Sequence, residues 1–129
     1  TVGRKTDRAA WTARLNKIDT DQKQAFERQM NGALPANWQD ALQALKKSIA
    51  DEPKKIATRQ ASQLTLDTLV AAIPEMIGGS ADLTGSNLTK AKGTESISAD
   101  NFTGNYIYYG VREHGMAAAM NGMALHGDL

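Results

Sequence analysis

Glu113 is the residue of this sequence whose position best suits it to chemistry. It follows a stretch rich in β-formers and a turn at Gly110, and it lies in the first turn of an expected helix. There the amide groups of the helix stabilise an ionised carboxylate, whereas burial against a ligand favours the neutral acid. A carboxyl group under both influences can share a proton with a heterocyclic nitrogen. A surface glutamate that complements the helix dipole is the simpler alternative.

A glycine- and hydroxyl-rich run is the second candidate site. Its small residues could bring backbone N–H groups close to an anion. It is neither a Walker loop nor a dinucleotide-binding fingerprint, so by itself it is also compatible with an ordinary turn. The run is Gly78-Gly79-Ser80-Ala81-Asp82-Leu83-Thr84-Gly85-Ser86-Asn87.

Three further polar residues are possible ligands. Arg59, near the start of a long helix, could hold a phosphate through two hydrogen bonds, although an isolated arginine is usually solvated. His114 and His126 lack the spacing of metal ligands. The chain has no cysteine, which excludes disulfides and thiolate chemistry. We therefore expect no metal site built by these residues.

The second half of the sequence predicts the elements that position these residues. The pattern indicates a helix over 56–73, a buried strand over 75–82, a loop over 83–100, a second strand over 105–109 and a helix over 112–126. This alternation predicts an α/β layered domain with parallel strands. Two strands do not make a stable sheet alone, so we expect further strands beyond the end of the chain. The absence of an initiator methionine also suggests a piece of a longer polypeptide.

The first half of the sequence, residues 1–55, reads as a helical linker. Asp19 is an expected N-cap for a short helix that ends at about Gly32. A later helix carries one apolar stripe, which predicts that it packs on a larger body. No catalytic pattern occurs in it. The stripe is Trp38, Leu42, Leu45 and Ile49.

The last helix combines small residues with methionines. Small residues let another backbone approach closely, and methionine fills irregular gaps. We expect this helix to be buried, either against its twin in a dimer or within its own domain. The small residues are Gly115, Ala118, Ala119 and Gly122, and the methionines are Met116, Met120 and Met123.

The composition excludes several classes of function. Of 129 residues, 41% are hydrophobic and 22% charged, and the net charge is +1. The scattered charges give no electrostatic case for nucleic acid or an anionic membrane. No apolar stretch reaches the roughly 20 residues that a bilayer-spanning helix requires, and no secretory signal is visible. The lack of cysteine favours a reducing compartment.

Two motifs in this order and spacing resemble the transketolase family. The match is strong over residues 56–129, including Ile56-Ala57-Thr58-Arg59 and Ala124-Leu125-His126-Gly127, and looser over residues 1–55. The first motif is Gly78-Gly79-Ser80-Ala81-Asp82-Leu83-Thr84-x-Ser86-Asn87-Leu88-Thr89. The second is Tyr109-Gly110-Val111-Arg112-Glu113-His114-Gly115-Met116.

The resemblance implies a thiamine diphosphate enzyme that moves a two-carbon ketol unit from ketose phosphate to aldose phosphate in the cytoplasmic pentose phosphate pathway. Members are homodimers with the active site at the subunit interface. An N-terminal domain holds the diphosphate and a divalent metal, magnesium or calcium. This chain resembles the interdomain linker, residues 1–55, and the first part of the pyrimidine-binding domain, residues 56–129. The resemblance therefore implies that the chain alone is inactive.

The resemblance also implies roles for individual residues. Glu113 matches the glutamate that hydrogen-bonds the aminopyrimidine ring and activates the cofactor. Arg59 and Ser86 match positions that hold the substrate phosphate, and Asp82 and Leu83 match positions near the cofactor. Gly85 departs from the family, which often has proline there.

Two alternatives remain open at this point. Another thiamine diphosphate enzyme could use the same glutamate on a similar domain, although such relatives generally lack the glycine-rich motif. A non-catalytic module could instead use the small-residue helix only for dimerisation.

Overall fold

The computed structural model describes residues 2–127, with side chains from Arg4 onward. The chain divides into two compact units, Thr1–Ala33 and Leu34–Leu129. These units are compact bodies and do not test the predicted boundary at 55/56 between the linker and the pyrimidine-binding domain. That boundary stays a prediction.

The first unit contains two helices, α1 (Val2–Leu15) and α2 (Thr20–Met30). The Asp19 side chain accepts a hydrogen bond from the backbone N–H of Asp21 at 2.9 Å, which confirms the predicted N-cap. The rings of Trp11 and Phe26 lie 6.3 Å apart and join the two helices. Trp11 still exposes 47% of its surface.

The second unit begins with α3 (Trp38–Asp51) and α4 (Thr58–Ala72), which pack against each other. The Gln60 side chain accepts a hydrogen bond from the Ala57 N–H at 3.0 Å, and this bond explains why α4 starts two residues later than predicted. In α4 only Ala72 is buried. Other apolar residues of α4, such as Leu66 and Val70, are half-buried.

The sheet consists of β1 (Gly78–Ser80) and β2 (Tyr106–Tyr108), which pair in parallel. This confirms the predicted α/β class. Gly79 sits where the sheet leaves no room for a side chain. A Cβ at this position would lie 2.6 Å from the Tyr109 ring and 2.7 Å from the carbonyl oxygen of Ile107.

The connection between the strands is more ordered than the predicted loop over 83–100. It contains a short helix, α5 (Thr84–Asn87), which ends at Leu88 with a left-handed φ of 55°. Further along, Glu95 accepts a hydrogen bond from the Tyr106 N–H at 3.0 Å, and Ile97 donates one to the Tyr106 carbonyl at 2.8 Å. Because backbone bonding of this kind is not visible in side-chain pattern, the sequence predicted only a loop.

The core is small and lies around the sheet. Its buried hydrophobic residues are Ala72, Ile73, Ala81, Ala91 and Tyr106. The last helix, α6 (Glu113–His126), has no buried residue. Met116, Ala119 and Met123 are half-buried and the rest of the helix is exposed, so burial within its own domain is only partial, and burial against a twin helix stays a prediction. No helix in the described part of the chain is long and apolar enough to cross a membrane.

Candidate functional site

Both candidate motifs leave the sheet at the same edge. The parallel register pairs Ser80 with Tyr108 at the carboxyl ends of the two strands. The Ser80 carbonyl accepts a hydrogen bond from the Tyr109 N–H at 3.0 Å, just before the chain turns toward Glu113. In open α/β sheets, ligands bind at this edge. The fold therefore brings the glycine-rich motif and the start of α6 to one place.

The turn before Glu113 is closed by Arg112. Its guanidinium donates to the Tyr109 carbonyl at 2.8 Å, and its backbone N–H donates to the Gly110 carbonyl at 2.8 Å. Gly110 has a φ of 65°, a left-handed conformation that glycine adopts without the strain it causes in other residues.

Glu113 is the first residue of α6, which agrees with its predicted place in the first turn of the helix. Its side chain is exposed and makes no hydrogen bond or ion pair with another described residue. The carboxylate is therefore accessible to a ligand.

Asp82 and Leu83 form a tight turn directly after β1. Asp82 has a φ of 69°, a left-handed conformation that is uncommon for residues with a side chain and that clusters at functional sites. The Leu83 N–H donates to Ser80 Oγ at 3.1 Å, and Ser80 is 4% exposed. The buried serine therefore holds the turn, while Leu83 remains 51% exposed.

The structure brings Arg59 and Ser86 together. Arg59 Nη1, in the first turn of α4, donates to the Ser86 carbonyl in α5 at 3.2 Å. The two residues are separated by 27 positions in sequence, and both are exposed. No hydrogen bond or ion pair links this pair to Glu113. The Arg59–Ser86 pair and Glu113 are connected only because the glycine-rich motif and the start of α6 leave the sheet at the same edge.

Sequence reasoning missed the residues that support the site. Tyr106 was predicted only as a strand residue, yet its hydroxyl lies 2.9 Å from Thr84 Oγ1 and 2.7 Å from Thr89 Oγ1. The sequence likewise indicates no separate role for Ser80 and Arg112. Side-chain pattern carried no signal for these contacts, since each depends on how the chain folds back on itself.

The described residues contain no group of three or more His, Cys, Asp or Glu that could hold a metal ion. An apolar groove of about 230 Å³ lies beside the sheet. It is lined by Leu66, Ile77, Gly78, Gly79, Thr89, Tyr109, Met116, Met120 and Met123. Because this lining carries no charge, the groove is not suited to an anion.

Parallel strands with polar turns at their carboxyl ends place this chain in the α/β class of domains. Residues 54–129 match the family model of the transketolase pyrimidine-binding domain. The chain belongs to the transketolase family.

Transketolases of other organisms align with nearly the whole chain. The chain is 48% identical over 123 residues to the transketolase of Rhodobacter capsulatus and 50% identical over 125 residues to that of Cereibacter sphaeroides. Each alignment covers 95% of this chain and 18% of the relative. The chain therefore spans less than a fifth of the length of these relatives.

Solved structures show the same fold. A transketolase of Pichia stipitis in complex with sedoheptulose-7-phosphate matches 98% of this chain with a TM-score of 0.82 and 34% identity. Transketolase from Leishmania mexicana matches 97% with a TM-score of 0.77 and 37% identity. The chain covers 19% and 18% of these two structures.

Proposed function

We propose that this chain supplies the pyrimidine-binding part of a transketolase. The enzyme would use thiamine diphosphate to transfer a two-carbon ketol unit from ketose phosphate to aldose phosphate. Family membership supports this proposal, as do Pichia stipitis relatives in complex with xylulose-5-phosphate and sedoheptulose-7-phosphate. Because the chain spans 18% of its relatives, we propose the activity for a longer protein that carries it, called the intact protein below.

The position of Glu113 is the observation that carries this proposal. The carboxylate is exposed, lies in the first turn of α6 and has no partner among the described residues. These properties fit a group that hydrogen-bonds a ring nitrogen of an aminopyrimidine. The residues of this chain thus fit the pyrimidine end of the cofactor, and we propose that magnesium or calcium is held mainly by residues outside it.

Each candidate residue then has a separate task. Thiamine diphosphate, when bound, would supply a carbon nucleophile and an electron sink for the ketose substrate. Glu113 would hold a proton at the pyrimidine nitrogen and thereby set the protonation of the neighbouring amino group. Asp82 and Leu83 would line the cofactor, while Arg59 and Ser86 would hold the phosphate of the substrate.

The exposed face of α6 supports a homodimer with the active site at the subunit interface. Small residues along this helix, including Gly115 and Gly122, are exposed within the chain and would let a second helix approach closely. We extend the proposal to a cytoplasmic enzyme of the pentose phosphate pathway, which rests on the family alone.

Replacing Glu113 with glutamine tests the function. Glutamine keeps the size of the side chain but removes its charge and its capacity to exchange a proton. We expect Glu113→Gln in the intact protein to lower kcat for ketol transfer by roughly 10²- to 10⁴-fold. Steady-state kinetics with saturating thiamine diphosphate would measure this loss.

Glu27→Gln is the matched control, because Glu27 is an exposed residue of α2 and has no proposed role. It should leave kcat unchanged. If Glu113→Gln also leaves ketol transfer unchanged, the catalytic role is wrong. The alternative function, a non-catalytic module that uses α6 only for dimerisation, would then explain the chain better.

A further inference from the structure

The hydroxyl of Tyr106 is buried at the centre of a hydroxyl cluster. Tyr106 is 1% exposed, and its oxygen lies 2.9 Å from Thr84 Oγ1 and 2.7 Å from Thr89 Oγ1. A phenol donates one hydrogen bond and accepts others. It can therefore satisfy both threonines at once, by donating to one and accepting from the other.

The tyrosine ring is fixed in place by its surroundings. The Tyr108 ring meets it edge-on at 5.1 Å, and the Lys90 ammonium lies 5.6 Å from its centroid. Its backbone N–H and carbonyl bond to Glu95 and Ile97 at 3.0 Å and 2.8 Å. The hydroxyl therefore has a fixed position relative to the sheet.

Thr84 and Thr89 bracket α5 from both ends. Thr84 is its first residue, and Thr89 follows Leu88, the left-handed residue that ends it. A single helical turn has no stability of its own, so the position of α5 depends on such tertiary bonds. Ser86 lies between the two threonines, and its carbonyl accepts from Arg59 at 3.2 Å.

We propose that Tyr106 is a positioning residue for recognition of the substrate phosphate, an inference that rests on the proposed function. Tyr106 acts through α5. Its hydroxyl holds Thr84 and Thr89 at the two ends of this helix, and the helix sets the position of Ser86, whose carbonyl accepts a hydrogen bond from Arg59. Loss of the hydroxyl leaves the ring and the strand in place but removes the hydrogen bonds that hold α5. Binding of phosphorylated substrates then weakens, while the chemistry at Glu113 continues.

Tyr106→Phe in the intact protein is the direct test. Kinetics are measured with an aldose phosphate and with the same aldose lacking its phosphate. We expect KM for the phosphorylated sugar to rise roughly fivefold to tenfold, the scale of one or two lost hydrogen bonds. The kcat values, and KM for the unphosphorylated sugar, should stay within about twofold of the wild type.

Tyr108→Phe is the matched control. Tyr108 lies two residues along the same strand, is 55% exposed, and its hydroxyl has no hydrogen-bond partner among the described residues. It should leave both KM values unchanged. Should Tyr106→Phe fail to fold, Thr84→Val and Thr89→Val each remove one bond to the same hydroxyl and are expected to raise KM for the phosphorylated sugar selectively.

The possible results separate the two proposals. Equal effects on both sugars would show that Tyr106 only stabilises the fold and would overturn the inference. Unchanged KM values in Tyr106→Phe, or in both threonine variants, would overturn it as well. An intact wild-type protein without any ketol transfer would instead remove the proposed function itself.

Discussion

At the scale of single residues, the site depends on positions where backbone geometry restricts the choice of side chain. Asp82 adopts a left-handed φ of 69° that glycine would adopt without strain, and Ser80 holds this turn through the Leu83 N–H. Gly79 is restricted for a different reason, because the Tyr109 ring occupies the space of its Cβ. Asp82 and Gly79 lie in one motif, but backbone conformation sets the restriction at Asp82 and a steric clash sets it at Gly79.

Gly79→Ala tests that steric restriction. An added Cβ would lie 2.7 Å from the Ile107 carbonyl oxygen, so β1 and β2 must move apart. We expect a destabilisation of about 1–3 kcal/mol, measured as a lower thermal unfolding midpoint of the intact protein.

Gly85→Ala is the control for the same chemical change. A Cβ at Gly85 meets nothing within 4 Å, and the residue lies in the short helix α5. Alanine should be neutral or slightly stabilising there. Equal losses of stability in both variants would contradict the steric explanation.

At the scale of elements, the site is held by bonds between segments that are distant in sequence. Arg59 links α4 to α5, Tyr106 links β2 to both ends of α5, and the backbone of Tyr109 links β2 to β1. A further link joins α4 to the connection after α5. There the Asp67 side chain accepts a hydrogen bond from the Lys92 N–H at 2.8 Å.

Asp67→Ala should weaken this link. The Asp67 side chain is 15% exposed, so the substitution removes a largely desolvated acceptor and leaves the Lys92 N–H without its partner. We expect a loss of about 1–3 kcal/mol, measured by thermal or denaturant unfolding of the intact protein.

Lys92→Ala separates the backbone bond from the ion pair. The Lys92 ammonium lies 3.6 Å from Asp67 Oδ2, but the lysine side chain is 85% exposed, and ion pairs at exposed side chains contribute about 0–1 kcal/mol. The alanine variant keeps the backbone N–H and should be nearly neutral. A loss as large as that of Asp67→Ala would show that the ion pair, rather than the backbone bond, holds the connection.

At the scale of the whole molecule, α6 leaves large apolar side chains uncovered. It exposes Met120 at 56% and Leu125 at 87%. This surface fits burial against further parts of the intact protein or a second subunit. The chain also supplies residues for only the pyrimidine end of the proposed cofactor site.

The isolated chain should therefore be inactive. We expect no ketol transfer by the purified 129-residue chain, and weak or no binding of thiamine diphosphate in titration calorimetry with magnesium present. The intact protein under identical conditions is the control. Measurable turnover by the chain alone would show that these residues form a complete site.

The sequence alone determined the class of the fold and the placement of the main candidate. Helical periodicity and β-formers predicted the parallel α/β order, and the turn at Gly110 placed Glu113 at the start of α6, because these signals are local. It also identified Arg59 as a candidate phosphate ligand, and the resemblance to a family assigned Ser86 to the same phosphate. Their roles stay predictions.

Only the tertiary structure decided which residues support one another. The hydrogen bond between Arg59 and Ser86, the hydroxyl cluster around Tyr106 and the ordered connection between the strands all join residues far apart in sequence. Side-chain periodicity cannot show such contacts, because it records which face of an element is apolar and not what that face meets. For the same reason, the apolar pattern of α6 predicted burial that this chain alone provides only in part.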